Sequence, residues 1–176
     1  PTLWLGEVDW SKISSLKPRI VLAHGGINDF RGRDYAFDDE AQSDANNLID
    51  LNSLPIDEID YVALGDWHNL KQVNEKAWYP GTPEPDRFNQ GENNQRGQVL
   101  HIDVSRKGQP QVKTIPTGRI QWHNISFRFN DDDDLIRLER RVEELTAGRI
   151  SRDLLRIEIS GRLSLSGHKR YQSFKE

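Results

Sequence analysis

The chain has 176 residues and a mass of 20.3 kDa, enough for one domain with a core or a partial domain with an appendage; its 35% hydrophobic fraction is low and its 30% charged fraction high, but apolar runs such as Ile20-Val21-Leu22-Ala23 and Tyr61-Val62-Ala63-Leu64 argue against disorder throughout. It contains no cysteine, which excludes a disulfide framework and a thiolate metal site, so any metal must be held by His, Asp, Glu, Asn or backbone oxygen. The formal net charge of −4 is not that of a duplex-coating protein, yet residues 121–176 hold 11 Lys and Arg against 10 Asp and Glu, while residues 1–120 hold 13 against 18.

From the N-terminus, Pro1-Thr2-Leu3-Trp4 shows no basic region ahead of an apolar one, and no apolar run approaches the roughly 20 residues that span a bilayer. A soluble, cytoplasmic protein with no membrane partner is expected. There is no methionine, and the opening on proline suggests that N-terminal sequence is missing. An opening segment with some helical character ends at Lys17-Pro18, and residues 19–23 then read as a buried strand stopping at His24-Gly25-Gly26. Residues 28–40 show no clear period. The polar run Asp44-Ala45-Asn46-Asn47 precedes Leu48, Ile49, Leu51 and Leu54, which suit a short helix before Pro55. A second apolar strand, 61–64, stops at Gly65. Two apolar strands separated by such a crossover fit parallel neighbours in a layered α/β fold.

Beyond residue 70 antiparallel structure is expected. Trp78-Tyr79 leads into the punctuated run Pro80-Gly81-Thr82-Pro83-Glu84-Pro85, and Leu100, Ile102 and Val104 alternate with His101 and Asp103 before a turn at Arg106-Lys107-Gly108 returns the chain through Val112 and Ile115. That pattern predicts a hairpin with His101 facing outward. A boundary is expected near Thr117-Gly118, dividing residues 1–118 from 119–176. The second part reads as a compact βαβ-like unit: strand 125–129, a helix from within Asp131–Asp134 with Leu135, Leu138, Val142 and Leu145 on one face, and strand 154–159. The four aspartates read as acids at a positive helix N-terminus, one of them the cap, because they lack the alternating ligands and glycine of a calcium loop.

The carboxyl ends of parallel strands are where loops converge to bind ligands. His24 follows the first strand and Asp66 and His68 the second, with glycines beside them that permit sharp turns. Two imidazoles and a carboxylate suit Mn, Fe or Zn, and the spacing alone is as compatible with one ion as with two. His123 and His168 have no companion ligands and read as structural or surface groups. Trp67 suits stacking on a base or sugar, or equally a lid over the site. Arg149, Arg152, Lys169 and Arg170 are candidates for DNA phosphate contacts.

The blocks Ile20-Val21-Leu22-Ala23-His24-Gly25, Ile59-Asp60-Tyr61-Val62-Ala63-Leu64-Gly65-Asp66-Trp67-His68-Asn69 and Trp78-Tyr79-Pro80-Gly81-Thr82-Pro83-Glu84 resemble the last blocks of calcineurin-like metallophosphoesterases, most of all the SbcD-like DNA repair exonuclease branch. The middle block is similar to a Gly-His-x-His motif with Asp66 in place of the first histidine. The resemblance covers about residues 19–105 and, more loosely, the unit from about 120, which is similar to a DNA-contacting capping domain. It implies an α/β fold: the C-terminal part of a metallophosphoesterase β-sandwich flanked by helices, followed by a small α+β capping domain. It also implies a metal-dependent phosphodiesterase acting on DNA ends through water activated by two divalent ions, most often manganese. His68 and Asp66 would be the catalytic residues, His68 on the first metal and His24 and Asp66 on the second. The implied partners are DNA and an SbcC-like ATPase subunit, with a homodimer possible. The family's Asp-x-His, Gly-Asp and Gly-Asn-His-Asp motifs are not found in this sequence. A phosphoesterase acting on a nucleotide or phosphoprotein, and a non-catalytic scaffold module, are therefore alternatives.

Overall fold

The computed structural model describes residues 7–27, 48–88 and 95–174. It is a mixed α/β structure: one four-stranded mixed sheet, two two-stranded sheets and two α-helices among those residues. The chain divides into two units, Pro1–Glu84 with Gln90–Gly118, and Pro85–Asn89 with Arg119–Glu176. Residues 28–47, which include most of the first crossover, lie outside the described residues.

In the first unit, β1 (Ile20–His24) and β2 (Tyr61–Gly65) pair in parallel from Ile20↔Tyr61 to His24↔Gly65. This is the neighbour relation expected of two apolar runs joined by a long crossover. Burial on both faces holds for β2, where Tyr61, Val62 and Leu64 are buried, but not for β1. The sheet order β1-β2-β4-β3 makes β1 an edge strand, and Leu22 remains 81% exposed.

The antiparallel expectation past residue 70 holds only in part. β3 (Leu70–Gln72) and β4 (Ala77–Pro80) form an antiparallel pair, but β4 also pairs in parallel with β2 through Val62↔Ala77 and Ala63↔Trp78. A short return through β3 turns the chain so that Ala77 and Tyr79 enter the core beside β2, with Asn74 Oδ1 accepting from the N–H groups of Lys76 and Ala77. The helix expected at 48–54 is a 3-10 turn, Leu51–Ser53, capped by Asp50. Ile49 is instead bridged in parallel to Ile27 and buried, and Pro55 bars extension. The described residues of the opening segment likewise hold a 3-10 turn, Trp10–Lys12, capped by Asp9, and no α-helix. No α-helix flanks the sheet among the described residues of this unit. β5 (Gln98–Asp103) and β6 (Gln111–Pro116) form the expected hairpin, with His101 exposed and Leu100 and Ile102 half-buried; Val104 falls past the strand end.

A charge network at the opposite edge from His24 was not legible in the sequence. Asp60, 1% exposed, accepts from the backbone N–H of Arg19 at 2.8 Å and of Lys107 at 2.7 Å, and from Arg106 Nη1 at 3.0 and 3.2 Å. Burial pushes the Asp60 carboxyl up, but these donors together outweigh it and hold it below its ordinary value. Arg19 and Arg106 also share Glu58, and Arg19 Nη2 donates to the carbonyls of Trp10 and Ile13. The network thereby ties the opening segment, the starts of β1 and β2, and the hairpin turn.

In the second unit, β7 (Trp122–Phe129) and β8 (Leu154–Gly161) run parallel from Trp122↔Leu154 to Phe129↔Gly161, joined by α1 (Asp134–Thr146). Leu135, Leu138 and Val142 of α1 are buried with Ile125 and Phe129, and Leu145 is half-buried against the same core. The helix stripe thus covers one face of its own strands. Gly161 ends β8 at φ +100°, where an added Cβ would lie 1.9 Å from the Phe129 carbonyl oxygen. A second helix, α2 (Leu165–Phe174), was not anticipated; Tyr171 and Phe174 return aromatic rings to this core.

The aspartate run serves both helices. Asp133 is the N-cap residue of α1, but its side chain makes no capping bond; its own N–H donates to Asp131 Oδ1. Asp134 accepts from the backbone N–H of Asn130 at 2.7 Å, and Asp132 accepts from Ser164 N at 2.8 Å and from its hydroxyl, fixing the start of α2.

Candidate metal centre

His24 is the last residue of β1 and Asp66 the first after β2, so parallel pairing delivers both to the carboxyl edge of one sheet. His24 Nε2 lies 3.5 Å from Asp66 Oδ1, and both side chains are substantially open to solvent, 78% and 45% exposed. Three local features set this geometry. Gly65 lies beneath the imidazole: a Cβ there would stand 2.8 Å from His24 Nδ1, so any side chain would displace the ring. Asp66 has φ +99°, a strained backbone for a non-glycine residue, which turns the chain sharply out of β2. Buried Tyr79 donates its hydroxyl to the Gly25 carbonyl at 2.6 Å, and Gly25 N donates to Gly65 O at 3.2 Å, which anchors the turn after β1 to the sheet.

His68 sits half-buried on the loop between β2 and β3, where its carbonyl accepts from Thr82 N at 3.1 Å. Among the described residues, no group of three His, Asp or Glu side chains is gathered closely enough to hold a metal ion. Of the three expected ligands, His24 and Asp66 are in mutual reach, and His68 does not complete a set with them. One imidazole and one carboxylate suit a hard or borderline divalent cation. Two such donors do not amount to a two-metal centre, whose closely spaced cations need several carboxylates and imidazoles. The described residues by themselves do not fit that group.

Trp67 is half-buried against the core of the first unit, with Lys71 Nζ 5.8 Å from its ring centroid. Among the phosphate candidates, Arg149 Nη2 pairs with Asp153 Oδ2 at 3.3 Å. Arg152 ends an exposed 3-10 turn before β8, and Lys169 and Arg170 lie on the exposed surface of α2. The four are thus carried by two separate elements.

His123 has a partner that sequence spacing could not reveal: its Nε2 lies 3.0 Å from Oδ2 of buried Asp153. Burial pushes the Asp153 carboxyl up, but the bond from His123, the Arg149 charge and the backbone at Gln121 together hold it below its ordinary value. In parallel pairing Trp122 stands opposite Leu154, so the residues beside them meet at the amino edge of the small sheet. His168 is exposed on α2 and shares a hydrogen bond with Gln172.

No protein-family model matches the chain, and no curated protein sequence matches it. Among the described residues no helix is long and apolar enough to cross a membrane.

Proposed function

We propose that this chain is part of a metal-dependent phosphodiesterase, of the SbcD-like nuclease kind that its motifs resemble, with His24 and Asp66 contributing to the metal centre. The observation that carries the reading is the placement of His24 and Asp66 within 3.5 Å at the carboxyl ends of adjacent parallel strands. In open α/β sheets that edge is where ligands bind, and a strained Asp66 beside a His24 ring that rests on Gly65 is the kind of local cost that functional sites retain. The metallophosphoesterase sandwich, the pair of manganese ions, DNA ends as substrate, an SbcC-like ATPase partner and cytoplasmic location all belong to this reading. So does the role of His68 as a ligand, which requires further groups beyond those described to complete its shell.

A non-catalytic module is the second reading, and the two-donor set found among the described residues favours it. Manganese titration against a linear DNA substrate separates the two. A protein that joins this chain to Asp-x-His and Gly-Asn-His-Asp motifs should cleave in a manganese-dependent way and lose cleavage on His68→Ala. Equal cleavage by the His68→Ala variant, or none by the unaltered protein, would reject the nuclease reading.

A further inference from the structure

The β7-β8 sheet has only two strands among the described residues, so one edge of each strand carries unpaired backbone groups. Such an edge invites pairing with another extended chain unless charge guards it. β8 is guarded, with Arg156 and Glu158 exposed along it. β7 has no Asp, Glu, Lys or Arg from Trp122 through Phe127. Beside that unguarded stretch lies a groove of about 400 Å³, walled by residues 124–127 on one side and by α1 on the other.

The helix wall is strongly basic. Arg137, Arg140, Arg141 and Glu144 recur at the spacing of one helical face, and all four line the groove. Arg137 is engaged by Asp134, but Arg140 and Arg141 make no ion pair among the described residues. The groove floor includes apolar Ile125 and Leu145. We infer that this groove binds an acidic peptide in extended conformation, added as a third strand along β7 with its carboxylates against Arg140 and Arg141.

The pieces fit strand addition better than a nucleic acid. Backbone pairing along an edge supplies affinity and alternate side chains supply selectivity. An apolar floor beside a charged wall matches a strand whose residues alternate apolar and acidic. A phosphodiester backbone would use the arginines and accept from edge N–H groups, but it has no donor for the edge carbonyls, which a peptide strand supplies. The surface lies wholly within the second unit and does not depend on the reading of the His24 and Asp66 site.

Amide hydrogen exchange of the intact chain tests this with an acetylated octapeptide that alternates glutamate with valine or threonine. The peptide should protect amides of residues 124–127. Arg140→Glu with Arg141→Glu, on an exposed helix face, should weaken its binding about tenfold or more through like-charge repulsion. N-methylation of alternate peptide amides should abolish binding, which a purely electrostatic contact would not require. Unchanged affinity after the arginine reversal, survival of binding after N-methylation, or no protection of β7 would each overturn the proposal. Protection by a single-stranded oligonucleotide and not by the peptide would assign the groove to nucleic acid instead.

Discussion

Arg106 Nη1 donates to both carboxylate oxygens of Asp60, at 3.0 and 3.2 Å, across 46 residues of chain. Asp60 is 1% exposed and the Arg106 side chain 11%. Removing one member of a buried pair leaves an uncompensated charge, which costs about 3–5 kcal/mol. Arg106→Ala should therefore lower the urea midpoint of the chain by the equivalent of about 3 kcal/mol, because the bonds from Arg19 N and Lys107 N remain. Replacing Arg156, whose pair with Glu158 is open to solvent on both sides, should cost well under 1 kcal/mol by comparison.

Acid should unfold the protein through Asp60 and Asp153. Both carboxyls are held below their ordinary value in the folded state, so each contributes stability that is complete above the unfolded value of about 3.9 and is lost as pH falls through the folded one. Stability from these two groups should be flat above about pH 5 and fall steeply below about pH 4. In urea titrations across that range, Asp60→Asn and Asp153→Asn should each be less stable at neutral pH and show a shallower acid limb. An unchanged limb in both single Asn variants would reject this account.

Gly161→Ala should destabilise the second unit. The position has φ +100°, and a Cβ would meet the Phe129 carbonyl at 1.9 Å, an obstacle made of backbone that cannot rotate away. Strain of this kind costs on the order of 1–3 kcal/mol. Thermal unfolding followed by aromatic signals should register it, since Phe127, Phe129 and Tyr171 pack edge to face in this core. Gly148→Ala makes the control: its added Cβ meets nothing within 4 Å, although φ is +78°.

Manganese should bind the 176-residue chain weakly. His24 and Asp66 offer two donors 3.5 Å apart, and two divalent cations held close repel each other without a bridging carboxylate. Paramagnetic broadening of the His24 ring signals on titration should be lost on Asp66→Ala, with affinity falling about tenfold or more. Linear DNA should remain uncut by this chain alone. Strong manganese-dependent cleavage by it would show that the ligands had been misassigned.

Local chemistry determined much of what the chain forms. Continuous apolar residues at 20–23 and 61–64 made two strands, alternation at 98–103 with a turn at Arg106-Lys107-Gly108 made the hairpin, and a stripe of Leu135, Leu138 and Val142 made α1 bury against β7. It also placed His24 and Asp66 at strand ends, because a residue at the end of a parallel strand has only that edge of the sheet to occupy.

Tertiary structure decided the partners. That β4 would lie parallel to β2, that Ile49 would bridge Ile27 where a helix was expected, and that Asp60 would gather Arg19, Arg106 and Lys107 depended on neighbours tens of residues away. The pairing of His123 with Asp153 arose the same way, from two parallel strands brought level across an intervening helix. Side-chain periodicity reports which face of an element is apolar. It carries no record of the distant polar group that burial will bring against it, since that meeting is set by the packing of whole elements.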